Sequence, residues 1–362
     1  MQRTIYPILP LMKKNALVIF TLALLASCRS QQTPHFDEDL WLRRVNAVDP
    51  SLLYEPHRDE AGSFFNPWMP RHLEQQNVGR FWGREKMAFE AFPAERYGHL
   101  NNTYDYLSDP DFDSISFADH ASFFIKIDGA TIIADPFFSS RALVINKKIK
   151  IPFDFSKVPQ NPVVLISHNH YDHLDKKSIK QLSKKKSVFI VPLGLKDIIV
   201  KWGAREVHEL DWWESVNIAG IKYTLLPAQH WSRRIGQKAN STLWGSFMIE
   251  ASKTIYYSGD TGYFCGFKEF GRLYDIDYAI LGVGAYEPRW FMHYQHMNVA
   301  EFFLAIDDLN AKISIPMHFG TISLSDEPLV YPLYETDLYL EKHPQYINRV
   351  TPLRVGGFIK IE

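Results

Sequence analysis

The segment Ser167-His168-Asn169-His170-Tyr171-Asp172-His173-Leu174-Asp175 follows directly on the apolar run Val163-Val164-Leu165-Ile166, and it constrains the chain more than any other feature. Four metal-binding side chains, His168, His170, Asp172 and His173, fall within six residues. In extended backbone His168 and His170 share one face, whereas Asp172 and His173 come where the chain turns towards a helix. That geometry feeds two adjacent metals. Three later runs end in the same manner: His230 closes Tyr223 to Gln229, Asp260 closes Ile255 to Gly259, and His318 closes Ile313 to Met317. Ligand sites in α/β sheets lie beyond the carboxyl ends of strands, so the recurrence predicts one shared cleft. Five imidazoles and two carboxylates suit two Zn²⁺ per chain, since Ca²⁺ or Mg²⁺ would want more carboxylate oxygen.

The remaining composition narrows the alternatives. Forty Lys and Arg against 41 Asp and Glu give a formal net charge of −1, and without a long basic block nothing favours a nucleic-acid backbone. The two cysteines, Cys28 and Cys265, support neither a disulfide framework nor a Cys-rich zinc knuckle, so any metal is held by His and carboxylate. Lys13 and Lys14 precede an apolar run from Ala16 to Ala26, shorter than the roughly 20 residues needed to span a bilayer. With its polar exit this reads as a signal peptide over residues 1–27, with Met12 as an alternative start. Leu25-Ala26-Ser27-Cys28 resembles the bacterial lipoprotein lipobox, which implies lipidation of Cys28, a membrane anchor and a place in the cell envelope. Arg29, standing where a retention Asp would sit, points to the outer membrane facing the periplasm.

Residues 28–113 show no sustained period and read as an irregular extension, and residues 114–362 as one α/β (α+β) domain. Strands are expected over Ser116 to Ile127, Thr131 to Ala134, Val163 to Ser167, Ser187 to Pro192, Ile221 to Leu226, Thr254 to Ser258, Tyr278 to Val283 and Ile313 to Pro316. Helices are expected over Lys176 to Lys184, Leu193 to Lys201 and Val299 to Leu309.

Together His168-Asn169-His170-Tyr171-Asp172-His173, His230, Gly259-Asp260-Thr261-Gly262 and His318 resemble the metallo-β-lactamase superfamily, whose fold is a four-layered αββα sandwich with a dinuclear zinc site. Leu210 to Glu214, Pro227 to Trp231, Leu243 to Ser246, Gly284 to Met292 and His318 to Thr321 are similar to the N-acylphosphatidylethanolamine-hydrolysing phospholipase D family. The resemblance implies one zinc on His168, His170 and His230, a second on Asp172, His173 and His318, and Asp260 as the bridge. It further implies cleavage of a phospholipid substrate to N-acylethanolamine and phosphatidic acid by a hydroxide generated at the metals, with Asp172 and Asp260 as catalytic residues.

Independently of the family, two divalent cations facing two ligand carboxylates leave a positive pocket that attracts a phosphodiester and acidifies water. His120, Trp231, Tyr286, Arg289 and Phe291 stand as candidate substrate contacts, and Asp119 before His120 departs from the Gly usual in relatives. Arg289 in an internal ion pair is the competing reading. Trp212 and Trp213 are assigned to core packing, and Cys265 is expected to be inert. The rival functions are a lactonase or sugar-phosphate hydrolase of the same fold, and a non-catalytic envelope binding protein; a homodimer is compatible with either.

Overall fold

The computed structural model describes residues 35–70, 81, 83–100, 112–150 and 153–362; the signal segment and Cys28 lie outside them. Two sheets carry the fold. In the first, β1 (Ser114–Asp119), β2 (Ser122–Ile127) and β3 (Ala130–Ala134) form an antiparallel meander. A two-residue-stranded hairpin of β4 (Arg141–Ala142) and β5 (Ile145–Asn146) follows. Then β6 (Val163–Leu165), β7 (Val188–Pro192) and β8 (Glu206–Leu210) extend the sheet in parallel from β3.

The second sheet begins with the antiparallel run of β9 (Ser215–Ile218), β10 (Ile221–Leu226), β11 (Ser246–Glu250) and β12 (Thr254–Tyr257). It is completed in parallel by β13 (Tyr278–Gly282) and β14 (Ile313–Met317). The last strand, β15 (Phe358–Lys360), returns to the first sheet beside β1 and gives it the order β15-β1-β2-β3-β6-β7-β8.

Strands of the first sheet read as continuous apolar runs because both their faces are covered. Ile132, Ala134, Val163 and Leu165 point into the main core shared with the second sheet, where Tyr223, Leu225, Ile249 and Ile280 lie. Their alternates Ile133 and Val164 pack outwards under helices α2 (Lys176–Ser183) and α3 (Lys196–Lys201) through Ile179, Leu182 and Ile199. On the far side, α4 (Gly266–Leu273) and α6 (Val299–Leu309) bury Phe267, Phe270, Phe302 and Ile306 in the same main core. A short α5 (Arg289–Met292) precedes α6, and α7 (Tyr331–Lys342) packs on it. The result is a four-layered αββα sandwich, as the resemblance implies.

The expected strand Ser116 to Ile127 is in fact two strands, broken at Asp119-His120-Ala121, where His120 takes a left-handed φ of 44° and turns the chain. Within the extension, helix α1 (Glu38–Asn46) starts at Asp37, whose side chain accepts from Leu40 N at 2.8 Å. Trp41 and Val45, four apart on one face, join the main core with Leu53, Phe64, Trp68 and Met69. Of its four apolar residues only Trp41 and Val45 are buried, too short a stripe to announce this helix in the sequence. Among the described residues no helix is long and apolar enough to cross a membrane.

Candidate metal centre

Strand direction brings the predicted ligands together. β1, β3 and β6 run the same way in the first sheet, as do β10, β12 and β14 in the second, so their carboxyl ends meet at one rim. His120 leaves β1, Asp135 leaves β3, and the His168 to His173 loop leaves β6. From the opposite sheet come His230, Asp260 and His318. The loop joining β12 to Asp260 requires glycine: Gly259 has a φ of +56°, and a Cβ there would lie 2.5 Å from Ser167 Cβ.

Among the described residues side-chain donor atoms converge in four overlapping groups, two of them of four residues each. His168, His170, His230 and Asp260 make one, and His120, Asp172, His173 and His318 the other, with all ligand atoms in each within 4.8 Å. Within the first, His170 Nδ1 lies 2.8 Å from His168 Nε2 and 3.1 Å from His230 Nε2. Asp260 stands between the groups, its Oδ2 at 3.8 Å from both His168 Nε2 and His230 Nε2 and 3.0 Å from His173 Nε2, its Oδ1 at 3.1 Å from His318 Nε2. All seven ligands inferred from the sequence are therefore in one cluster, divided as the resemblance implied. His120 is an addition to the second group, its Nε2 at 3.1 Å from Asp172 Oδ2.

The residues fit a pair of cations. His173 Nε2, His318 Nε2 and Asp260 Oδ1, all facing the cluster, are buried without a well-aligned hydrogen-bond partner, a costly state unless something else engages them. Meanwhile the Nδ1 atoms of His173, His168 and His230 have outer partners. Asp135 Oδ2 meets His173 Nδ1 at 2.7 Å, Ser167 Oγ lies 2.9 Å from His168 Nδ1, and the Gln295 carbonyl lies 3.2 Å from His230 Nδ1. Asp135 is itself held by the Ser167 amide at 2.7 Å and the Tyr257 hydroxyl at 2.8 Å. Such outer partners set the tautomer and aim of ligating imidazoles.

The electrostatics agree. Burial opposes ionisation of Asp260, but His173 and His318 outweigh it and hold the carboxyl well below its usual range. Asp172 behaves alike, burial being overcome by His173 and His120. Burial pushes His168 and His230 well below the ordinary imidazole value, which leaves neutral rings able to donate to a metal. Burial also disfavours charge on His173, yet Asp260, Asp172 and Asp135 raise it well above normal. Three carboxylates thus demand positive charge at one spot.

The candidate substrate contacts divide. Trp231 packs edge-on against His170 at 4.5 Å between ring centroids, beside the cluster. Phe291 instead stacks on Phe81 at 4.3 Å, in a small cluster with Met292. The Tyr286 hydroxyl donates to Glu335. Arg289 is buried between Glu38 and Glu301 at 2.8 and 2.7 Å and also donates to the His296 carbonyl, so its guanidinium serves the internal ion pair that competed with phosphate binding in the sequence. Trp212 and Trp213 are core and near-core residues, the first donating to the Trp244 carbonyl at 2.6 Å. Burial pushes the Cys265 thiol up to about 12, consistent with an inert residue. Sequence reasoning missed Asp135 and His296, which joins Asp260 and His318 at the cluster edge. Asp135 obeys the same strand-end rule, immediately after the expected strand Thr131 to Ala134.

A model of the β-lactamase superfamily domain matches residues 130–319. The chain belongs to the β-lactamase superfamily. Within this superfamily it is 33% identical over 230 residues to a mitochondrial N-acyl-phosphatidylethanolamine-hydrolyzing phospholipase D of Saccharomyces cerevisiae, covering 59% of this chain and 49% of the yeast protein. It is 33% identical over 270 residues to N-acyl-phosphatidylethanolamine-hydrolyzing phospholipase D 1 of Caenorhabditis elegans, covering 67% of this chain and 72% of the nematode protein. The chain thus spans about half the length of the yeast relative. Among solved structures, Igni18, a metallo hydrolase of the archaeon Ignicoccus hospitalis, superposes with a TM-score of 0.53 at 20% identity, covering 69% of this chain and 98% of Igni18. These likenesses make the chain a metallohydrolase by fold.

Proposed function

We propose that this superfamily member is a dinuclear zinc phosphodiesterase that cleaves N-acylphosphatidylethanolamine-like phospholipids to N-acylethanolamine and phosphatidic acid. The observation that carries the reading is Asp260 standing between two histidine-rich groups, in a chain 33% identical to two phospholipases D over 230 and 270 residues. His168, His170 and His230 would hold one cation, Asp172, His173 and His318 the other, and Asp260 both. Cations at these positions supply Lewis-acid polarisation of a phosphoryl oxygen and an acidified water. As water adds to phosphorus, Asp172 Oδ2 would take its proton and the P–O bond to the N-acylethanolamine would break, the departing alkoxide recovering that proton, and His120 Nε2, 3.1 Å away, holds the carboxylate oxygen in position. Trp231 shields His170 from solvent on one side of the cluster. Lipidation at Cys28 would hold the catalytic body at the membrane that contains its substrate.

The test is incubation of the purified protein, its metal content measured in parallel, with N-acylphosphatidylethanolamine in mixed micelles, beside Asp260→Asn. The expected result is about two metals per chain and release of N-acylethanolamine and phosphatidic acid, both lost in the variant. Two bound metals with intact lipid would overturn the substrate, and no bound metal would overturn the reaction.

A further inference from the structure

Helix α1 does not close completely on the sandwich. Between them lies a cavity of about 420 Å³, walled by Trp41, Val45, Val48, Trp68, Met69 and Phe264. It shares no wall residue with the two ligand groups, although Gln229 in its wall immediately precedes His230. Its volume lies within the range of about 300–1,000 Å³ typical of small-molecule sites.

The wall is apolar even where its residue types are not. Trp41 Nε1 donates to Glu301 Oε1 at 3.0 Å, and Trp68 Nε1 donates to Gln229 Oε1 at 3.0 Å. The remaining end of Gln229, its Nε2, donates to the Tyr294 carbonyl at 2.8 Å. Cys265 contributes an un-ionised thiol. One charged side chain is left at the cavity, Arg44 on the exposed side of α1, and it makes no ion pair among the described residues. A second cavity of about 140 Å³ shares Val45, Val48 and Cys265 with the first, and its far wall carries Lys268, which donates to Asn46 Oδ1 at 2.9 Å, and Asp308, which accepts from the Tyr263 hydroxyl at 2.6 Å.

We infer that this cavity binds a single-chain anionic lipid, with the alkyl chain between α1 and the sandwich and the acidic head on Arg44. A polar ligand would find the side-chain groups of Trp41, Trp68 and Gln229 already engaged, so most of its desolvation would go uncompensated. An alkyl chain loses nothing by that, and Arg44, the one cation in the wall of the larger cavity, selects a carboxylate or phosphate head over a neutral one. The site is separate from the hydrolytic one and stands whether or not the phospholipase reading does.

The test titrates cis-parinaric acid, a fluorescent long-chain fatty acid, into the metal-loaded protein and displaces it with palmitic acid, palmitic acid methyl ester or diacyl phospholipid vesicles. Binding is expected to saturate and to be displaced best by palmitic acid. Ala47→Phe, which fills the cavity from the exposed side of α1, should weaken binding about tenfold or more while leaving thermal stability unchanged. Arg44→Gln should weaken the acid about two- to fivefold and leave the methyl ester unaffected. Absence of saturation, indifference to Ala47→Phe, or displacement by vesicles as good as by the acid would each overturn the inference. So would loss of the probe on chelation of the metals with no effect of Ala47→Phe, which would place it at the metal centre.

Discussion

The ammonium of Lys147 is buried against the carboxylate of Asp119, the residue before His120. Lys147 also donates to the Phe137 carbonyl at 2.6 Å, and Asp119 Oδ1 accepts from the Thr321 hydroxyl at 2.6 Å. The pair therefore joins the end of β1, which carries His120, to the segment after β14, which carries His318. The backbone repeats the connection, with the His318 amide donating to the His120 carbonyl at 2.9 Å. Lys147→Met, which strands a buried carboxylate, should cost about 3–5 kcal/mol in denaturant unfolding. Adding Asp119→Gly should recover much of that loss, because both charges then leave together.

Asp135 offers a test of the metal centre that leaves every ligand in place. Asp135→Asn keeps the shape but removes the charge facing His173 Nδ1 at 2.7 Å. Zinc affinity, measured by competition with a chromophoric chelator, should fall about 10–100-fold with the circular dichroism spectrum retained. Unchanged affinity would mean that Asp135 does not tune the site.

Gly259 tests the loop that delivers Asp260. Alanine there must adopt a φ of +56° and place its Cβ 2.5 Å from Ser167 Cβ. The left-handed backbone alone should cost about 1–3 kcal/mol, visible as a lower melting temperature. Because Ser167 also contacts Asp135 and His168, metal content should fall as well.

Glu287 gives a pH dependence remote from the metals. Burial raises its carboxyl to about 7, against the pull of the Arg289 amide and guanidinium, which accounts for a proton retained in the fold. The unfolded carboxyl releases its proton near its ordinary value of 4.5, so between there and about 7 the native state binds more protons. Stability contributed by this group therefore falls as pH rises through that window. Glu287→Gln should flatten the fall, as followed by urea midpoints at several pH values; an identical slope in both proteins would remove Glu287 from the account.

Much of this was legible in the chain because the first sheet is buried on both faces and its strands read as uninterrupted apolar runs. The ligands were legible because each follows such a run. What escaped did so for physical reasons. Helix α4 is disguised by Gly266 and Gly271, and the second is needed because a Cβ there would lie 2.2 Å from the Asp308 carbonyl of α6. The turn within Ser116 to Ile127 is hidden because histidine, not glycine, takes the left-handed position. Arg289 sits among residues similar to a phospholipase block, yet its partners Glu38 and Glu301 are more than two hundred and fifty and about a dozen positions away, a pairing no local pattern discloses.

Trp41 hydrogen-bonds Glu301, the same residue that closes the capping box of α6 with Asn298. The segment before the family-matched stretch is thus tied to the start of a helix in the opposite half of the sandwich. Mechanical load reaching α1 would be delivered straight to the hydrophobic interior through Trp41 and Val45. Trimming the polypeptide to residues 130–319 would remove that brace together with β1, β2 and β15, so the catalytic body cannot be inherited or transplanted as that stretch alone.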